Sequence, residues 1–219
     1  MNIQNAIKTH LCLNSERDEN GRIYESSLVH ALRNIRLITG RNEETGVAEP
    51  NGYLGNWIGA IGYLTLLDQI GKCFRPKSEL HQEYQNNTPP IKKALMNFNL
   101  NNLTNDEINA IYALRNGFHH DFSLLNIELK KNTTQIKNAH HFAVEVGSTN
   151  PVVKLPKIPW DGEIANRTKE NVTYVNLQAL GDMVENIYKL LLELESKNEL
   201  LLELLGGESE LRARYIFSH

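Results

Sequence analysis

Residues 104 to 125 read TNDEINAIYALRNGFHHDFSLL, and they hold the start, the body and the end of one helix. Thr104, with Glu107 three residues on, fits a capping box. The threonine hydroxyl takes a free amide of the first turn, and the glutamate reaches back to the threonine N–H. From there Ile108, Ile111, Tyr112, Leu114 and Phe118 carry an amphipathic helix to about Asp121. The character then changes. LLNIEL, HHFAVEV and PVVKLP are short β-rich pieces separated by Asn, Lys, Gly and Pro, which predicts a small antiparallel insertion over about 123 to 156.

Working outward, residues 24 to 39 place Leu28, Leu32 and Ile35 at helical spacing, followed by a polar, glycine-containing loop to about Gly55. Residues 56 to 74, NWIGAIGYLTLLDQIGKCF, are apolar on most faces and predict a central helix, with Gly55, Gly59 and Gly62 admitting a close neighbour. Pro76 and the pair Pro89 and Pro90 bracket a polar stretch, part loop and part short helix, and Pro90 suits the first turn of a helix to about Asn99. Leucines and other apolar residues from Leu177 to Leu205 alternate three and four apart and predict a core helix of the bundle or, alternatively, a paired helix at a dimer interface with Asn198 as its polar register residue, and Gly206 and Gly207 end the run. The expected fold is therefore mainly α: a helical bundle with a β-hairpin inserted before its last long helix. One domain spans 1–219, its core at about 24–205 and a C-terminal tail at 206–219.

Composition narrows the function. A net charge of −3 and a pI near 6.2 argue against a protein held to nucleic acid or membrane by bulk charge, though not against a local basic patch. Cys12 and Cys73 are isolated thiols, as expected in a reducing compartment. No secretory leader is visible at the start and no apolar stretch approaches the length of a membrane span, so a cytoplasmic protein is expected.

The residues with chemical potential lie on the opening stretch. Arg115 offers a planar, permanently charged fork that suits phosphate. An imidazole titrates near neutral pH and can both take and give a proton, and two are adjacent here, His119 and His120. Asn116 and His120 are four apart and share a helix face; Arg115 and His119 share the adjacent one. Arg115 and His120 stand about 140° apart around an ideal helix at roughly 100° per residue. Long arginine reach, distortion at Gly117 or a second subunit has to bring them together.

The string Arg115-Asn116-Gly117-Phe118-His119-His120 on a capped helix resembles the Arg-x4-6-His motif of the HEPN superfamily, in its four-residue form. What the resemblance implies is a homodimeric helical domain and, in active members, a metal-independent ribonuclease of toxin–antitoxin and other bacterial defence systems, with an antitoxin as a further partner. His120 would be the general base or acid, Arg115 would stabilise the charged phosphorane, and Asn116 would orient the site, with His119 auxiliary. Arg33, Arg36 and Arg41 form one candidate RNA-binding stripe, and Lys130, Lys131 and Lys137 in the hairpin another. A zinc set would need His119, His120, His140 and His141, yet adjacent histidines on a strand face opposite ways and no Cys or carboxylate cluster completes it; no metal or cofactor is expected. The rivals are an inert HEPN-like module that pairs with a partner protein, and a small-ligand-binding domain without an RNA role.

Overall fold

Seven helices and nine strands lie along the residues that the computed structural model describes, which are 3–13, 16–17, 20–79, 84, 87–147 and 150–218. In chain order they are α1 (Ile3–Leu11), β1 (Glu16–Arg17), β2 (Ile23–Ser26), α2 (Ser27–Ile38), α3 (Trp57–Cys73), β3 (Phe74–Pro76), α4 (Pro90–Asn97) and α5 (Asn105–Asp121). Then come β4 (Leu125–Leu129), β5 (Ile136–Glu145), β6 (Val153–Lys154), β7 (Thr173–Asn176), α6 (Leu177–Ser196), β8 (Leu200–Leu202), α7 (Gly207–Tyr215) and β9 (Ile216–Ser218).

The expectation of a mainly helical bundle is overturned. The described residues are about 49% helix and 18% strand, and the strands among them form three sheets, so the fold is mixed α/β. β1, β2 and β9 pair antiparallel in that order, which joins the two ends of the described chain. β3 pairs antiparallel with β8. The third sheet runs β4-β5-β7-β6, with β5 and β7 parallel and the outer pairs antiparallel. The expected hairpin is its β4–β5 half. β7 docks beside β5 and leads directly into α6, so the insertion is part of the scaffold that launches the last long helix.

The helices that the periodicity places are present, and their inward faces match. Leu28, Leu32 and Ile35 of α2, Leu64, Leu67 and Ile70 of α3, Ile111, Leu114 and Phe118 of α5, and Leu180, Val184, Ile187 and Leu191 of α6 are all buried. Each such side chain contributes about 1.5–3 kcal/mol on leaving water. α3 is central, packing against α2, α4, α5 and α6. Its glycines are contact points: a Cβ on Gly62 would meet Ile35 side-chain carbons at 2.5 Å, and one on Gly71 would meet the Pro90 carbonyl oxygen at 1.8 Å.

Three boundaries differ from expectation. The leucine run does not continue as helix to Leu205, because α6 closes at Ser196 in a Schellman turn. Asn198 adopts φ 56°, its N–H donates to Glu195 O (2.9 Å), and Glu199 N–H donates to Leu194 O (2.7 Å). Asn198 is thus the left-handed stop, and Leu200–Leu202 become β8. The expected tail is structured, since α7 buries Leu211 and β9 completes a sheet. At the other end α1 adds Ala6, Ile7 and Leu11 to the core. In the polar stretch before Pro89, Lys77–Glu79 form a 3₁₀ turn, while 80–83 and 85–86 lie outside the described residues. No helix among the described residues is long and apolar enough to cross a membrane.

Candidate active site and adjoining cavity

The capping box that opens α5 is formed. Glu107 N–H donates to Thr104 Oγ1 (3.3 Å), and Thr104 N–H donates to Glu107 Oε2 (2.8 Å). The helix then runs unbroken through Gly117 to Asp121, so distortion at that glycine does not rotate Arg115 toward His120. Gly117 has another role: a Cβ there would meet the carbonyl oxygens of Ser123 at 2.7 Å and Leu125 at 3.2 Å. The chain turns back against the helix at this point, through Phe122 in the left-handed region (φ 50°), with Ser123 N–H donating to Gly117 O (3.0 Å).

α5 presents three chemically distinct faces. Ile108, Ile111, Leu114 and Phe118 enter the core. A second face meets α3. Arg115 Nε donates to Asp68 Oδ2 at 2.7 Å, with the arginine side chain 26% exposed. His119 Nδ1 lies 3.1 Å from the Arg115 carbonyl oxygen and its Nε2 lies 2.9 Å from Thr65 Oγ1. A carbonyl only accepts, so Nδ1 carries the proton. Burial, reinforced by the neighbouring Arg115 charge, holds the His119 pKa below its ordinary value. Both ring nitrogens of this partly buried residue are engaged, one by its own helix backbone and the other by the exposed Thr65 of α3.

The third face carries Asn109, Tyr112, Ala113 and Asn116, which line a cavity of about 460 Å³. The opposing wall is the β4–β5 ribbon, where Asn126 pairs with His140 and Glu128 with Asn138. Strand alternation puts both pairs on one face. The register shifts at Glu128/Leu129, leaving Lys137 as an extra residue, and its ammonium meets Glu128 Oε1 at 2.8 Å. Lys92 of α4 closes one side, donating to Asn109 Oδ1 (2.6 Å) and lying 4.6 Å from the Tyr112 ring centroid; burial draws its pKa down. Leu155, Pro156 and Pro159 complete the lining with Asp106 and Ala139.

Asn116 connects this cavity to the arginine, since its Oδ1 lies 3.4 Å from Arg115 Nη1. His120, the next residue on the Asn116 stripe, is exposed, and its side chain makes no hydrogen bond or ion pair among the described residues. Arg115 uses two of its five N–H groups, on Asp68 and Asn116, leaving three without a partner among the described residues. Arg115 and His119 therefore face α3, Asn116 lines the cavity beside the arginine, and His120 is exposed on the Asn116 stripe; because α5 is regular, Arg115 and His120 of one chain stay about 140° apart and are not brought together.

The expected arginine stripe is not a surface. Arg36 is 1% exposed: its Nε and Nη2 grip Glu185 (2.7–3.2 Å), and its Nη1 donates to the carbonyls of Glu43 (2.7 Å) and Glu44 (2.9 Å). Arg41 is buried as well, paired with Asp182 at 2.8 Å. Both cations pin the loop after α2 and are out of reach of RNA. Arg33 is half-buried and donates to the Leu13 carbonyl. Lys130 and Lys131 are exposed at the β4–β5 turn.

His140 and His141 do face opposite ways. His140 Nδ1 lies 3.0 Å from Thr173 Oγ1, whereas His141 Nε2 lies 2.6 Å from Asn171 Oδ1 with its ring against Trp160. Among the described residues, no group of three or more His, Cys, Asp or Glu side chains is placed to hold a metal ion. The cavity was missed from sequence although a signal existed: Asn109, Tyr112 and Asn116 recur at helical spacing as a polar stripe opposite the apolar one. Asp68, 47 residues from Arg115, left no such signal. Comparison with protein-family models, with curated proteins and with solved structures finds no match.

Proposed function

We propose that the protein is a metal-independent endoribonuclease in which Arg115, Asn116 and His120 act on the RNA backbone. One observation carries the reading. His120 is an exposed imidazole with no bonded role in the fold among the described residues, and it shares a helix with a guanidinium that is oriented at Nε by Asp68, is 26% exposed and keeps three N–H groups without a partner among the described residues. The ribose 2′-oxygen attacks phosphorus and the bond to the 5′-oxygen breaks. A base removes the 2′-proton, an acid protonates the leaving oxygen, and the products are a 2′,3′-cyclic phosphate and a 5′-hydroxyl. Arg115 stabilises charge on the equatorial phosphate oxygens, and Asn116 holds the guanidinium and orients the substrate. One imidazole per chain suits a homodimer, in which two copies of His120 supply both base and acid. The HEPN-like string supports this reading, and with it a cytoplasmic defence toxin held in check by an antitoxin.

The test is incubation of the purified protein with RNA in excess EDTA, reading cyclic-phosphate ends. Wild type should cleave and His120→Ala should not, at an unchanged melting temperature, because the removed ring supports nothing. Equal cleavage by both proteins, or none by wild type, overturns the proposal.

A second reading, an inert module that pairs with a partner protein, is favoured by one contact. Asp68 also accepts the Ile91 N–H of α4 through Oδ1 (3.2 Å), so the Arg115–Asp68 pair ties three helices together and has a structural use of its own. On that reading wild type leaves RNA intact.

A further inference from the structure

We infer that the cavity between α5 and the β4–β5 ribbon is a nucleobase-binding pocket. The inference deepens the ribonuclease reading, on which its strand context rests; the chemistry of the pocket stands apart from it. At about 460 Å³ the space is in the range of small-molecule sites, roughly 300–1,000 Å³. Its polar groups suit a flat heterocycle with mixed donors and acceptors. Asn116, Asn126 and Asn138 each offer a planar amide with one acceptor and two donors, the complement of a base edge. Leu155, Pro156 and the Tyr112 ring supply apolar surface for the base faces.

His140 is the pointed observation. It lines the cavity, is only 8% exposed, and its Nε2 has no hydrogen-bond partner among the described residues, although its Nδ1 is engaged by Thr173. A buried ring nitrogen without a partner is costly; Nε2 is closed to water in this structure, so a base edge reaches it and relieves that cost when the β5 wall opens slightly on binding. Burial keeps this imidazole in its neutral form, able to read a base by hydrogen bonding without demanding an anion. Charge around the cavity is balanced, with Lys92 and Lys137 set against Asp106 and Glu128. That balance suits a base carrying at most one phosphate and disfavours a polyphosphate. Asn116 reaches both the cavity and Arg115, so a nucleotide seated here has its backbone next to the guanidinium. In an RNA strand it would be the residue beside the cleaved bond, extruded from the stack.

The test uses the full chain carrying His120→Ala, so that binding is read without turnover. The four nucleoside 3′-monophosphates and ribose 5-phosphate are titrated separately, following the His140 ring nitrogens by 15N NMR and affinity by calorimetry. At least one nucleotide should bind, shift the His140 Nε2 resonance and exceed ribose 5-phosphate in affinity by about tenfold or more. Asn126→Ala, on a half-buried strand position, and His140→Phe should each weaken that nucleotide by about tenfold. The pocket assignment is overturned if no nucleotide moves the His140 signals, if ribose 5-phosphate binds equally well, or if Asn126→Ala leaves affinity unchanged. A short oligoribonucleotide distinguishes the source of the base. Displacement of the mononucleotide supports extrusion from a strand, and failure to displace it overturns the strand context while the free-nucleotide pocket stands. Binding without any cleavage by wild type would sink the nuclease reading alone.

Discussion

Arg115 and Asp68 meet at 2.7 Å across the α3–α5 interface, and the second carboxylate oxygen of Asp68 accepts the Ile91 N–H at 3.2 Å in the first turn of α4. The guanidinium is thus aimed by a group from a different helix. Both side chains are partly exposed, 26% and 20%, so the pair itself contributes little to stability, about 1 kcal/mol or less. Positioning is where it matters. Asp68→Asn keeps the size and the Oδ1 acceptor but releases the arginine. RNA cleavage should fall by roughly ten- to a hundredfold, as misplacement of a catalytic group by about an ångström costs. Urea unfolding should shift by no more than about 1 kcal/mol. Unaltered cleavage by the variant would show that the pair only braces the fold.

Much of this was legible beforehand, and what was not has physical causes. The α5 cap and its apolar stripe are local, encoded within four residues or in a 3.6-residue period, and they stand where the spacing puts them. The contacts that aim Arg115 depend on chain separated by 47 residues, which periodicity cannot register. Leu200, Leu201 and Leu202 illustrate the opposite failure. Leu201 among them extends the leucine repeat of α6, yet Asn198 in the left-handed region breaks the helix before them and the three pair with Pro76, Arg75 and Phe74 instead. A repeat of apolar residues reports burial, and a short strand can satisfy it as well as a helix. Arg36 was misplaced for a related reason: a cation on a helix reads as exposed until its buried partner, Glu185, is seen.

That buried partner gives the second prediction. Arg36 and Glu185 have side chains 2% and 3% exposed, and Glu185 Oε1 also accepts from the Tyr63 hydroxyl at 2.9 Å. Glu185→Gln preserves shape but leaves the guanidinium charge buried and uncompensated, at a cost of about 3–5 kcal/mol. Replacing both residues, Arg36→Met with Glu185→Leu, should recover most of that loss, since neither charge is then stranded. Urea midpoints of the single and double variants decide it. A Glu185→Gln protein within about 1 kcal/mol of wild type would contradict the assignment.

His10 predicts the acid limb of stability. It is fully buried between Phe74 and Tyr215, its Nδ1 is 3.0 Å from Ser26 Oγ, and burial lowers its pKa to about 3. The folded ring is neutral where the unfolded one, near 6.5, already takes up a proton. Between those two values the unfolded chain binds more protons, so stability rises with pH. The contribution is complete above about 6.5 and is lost as pH falls toward about 3. His10→Gln should flatten the slope of melting temperature against pH across that window, whatever it does to stability at pH 8. An unchanged slope would assign the acid sensitivity to other groups.

Gly117→Ala sets two effects of similar size against each other. Inside a helix alanine is favoured over glycine by about 1 kcal/mol, and α5 is regular at this position. Against that, the new Cβ would lie 2.7 Å from the Ser123 carbonyl oxygen and 3.2 Å from that of Leu125. These are backbone atoms at the root of β4, and they cannot rotate aside as a side-chain terminus does. Overpacking of this kind costs about 1–3 kcal/mol. The steric term should win, giving a net loss of up to about 2 kcal/mol in urea unfolding. The displaced turn follows directly after His119 and His120 and holds the β4 wall against α5, so cleavage and nucleotide affinity should drop together. A variant more stable than wild type would mean that residues 122–125 yield without penalty, and that the cavity wall is less firmly set against the helix than these distances require.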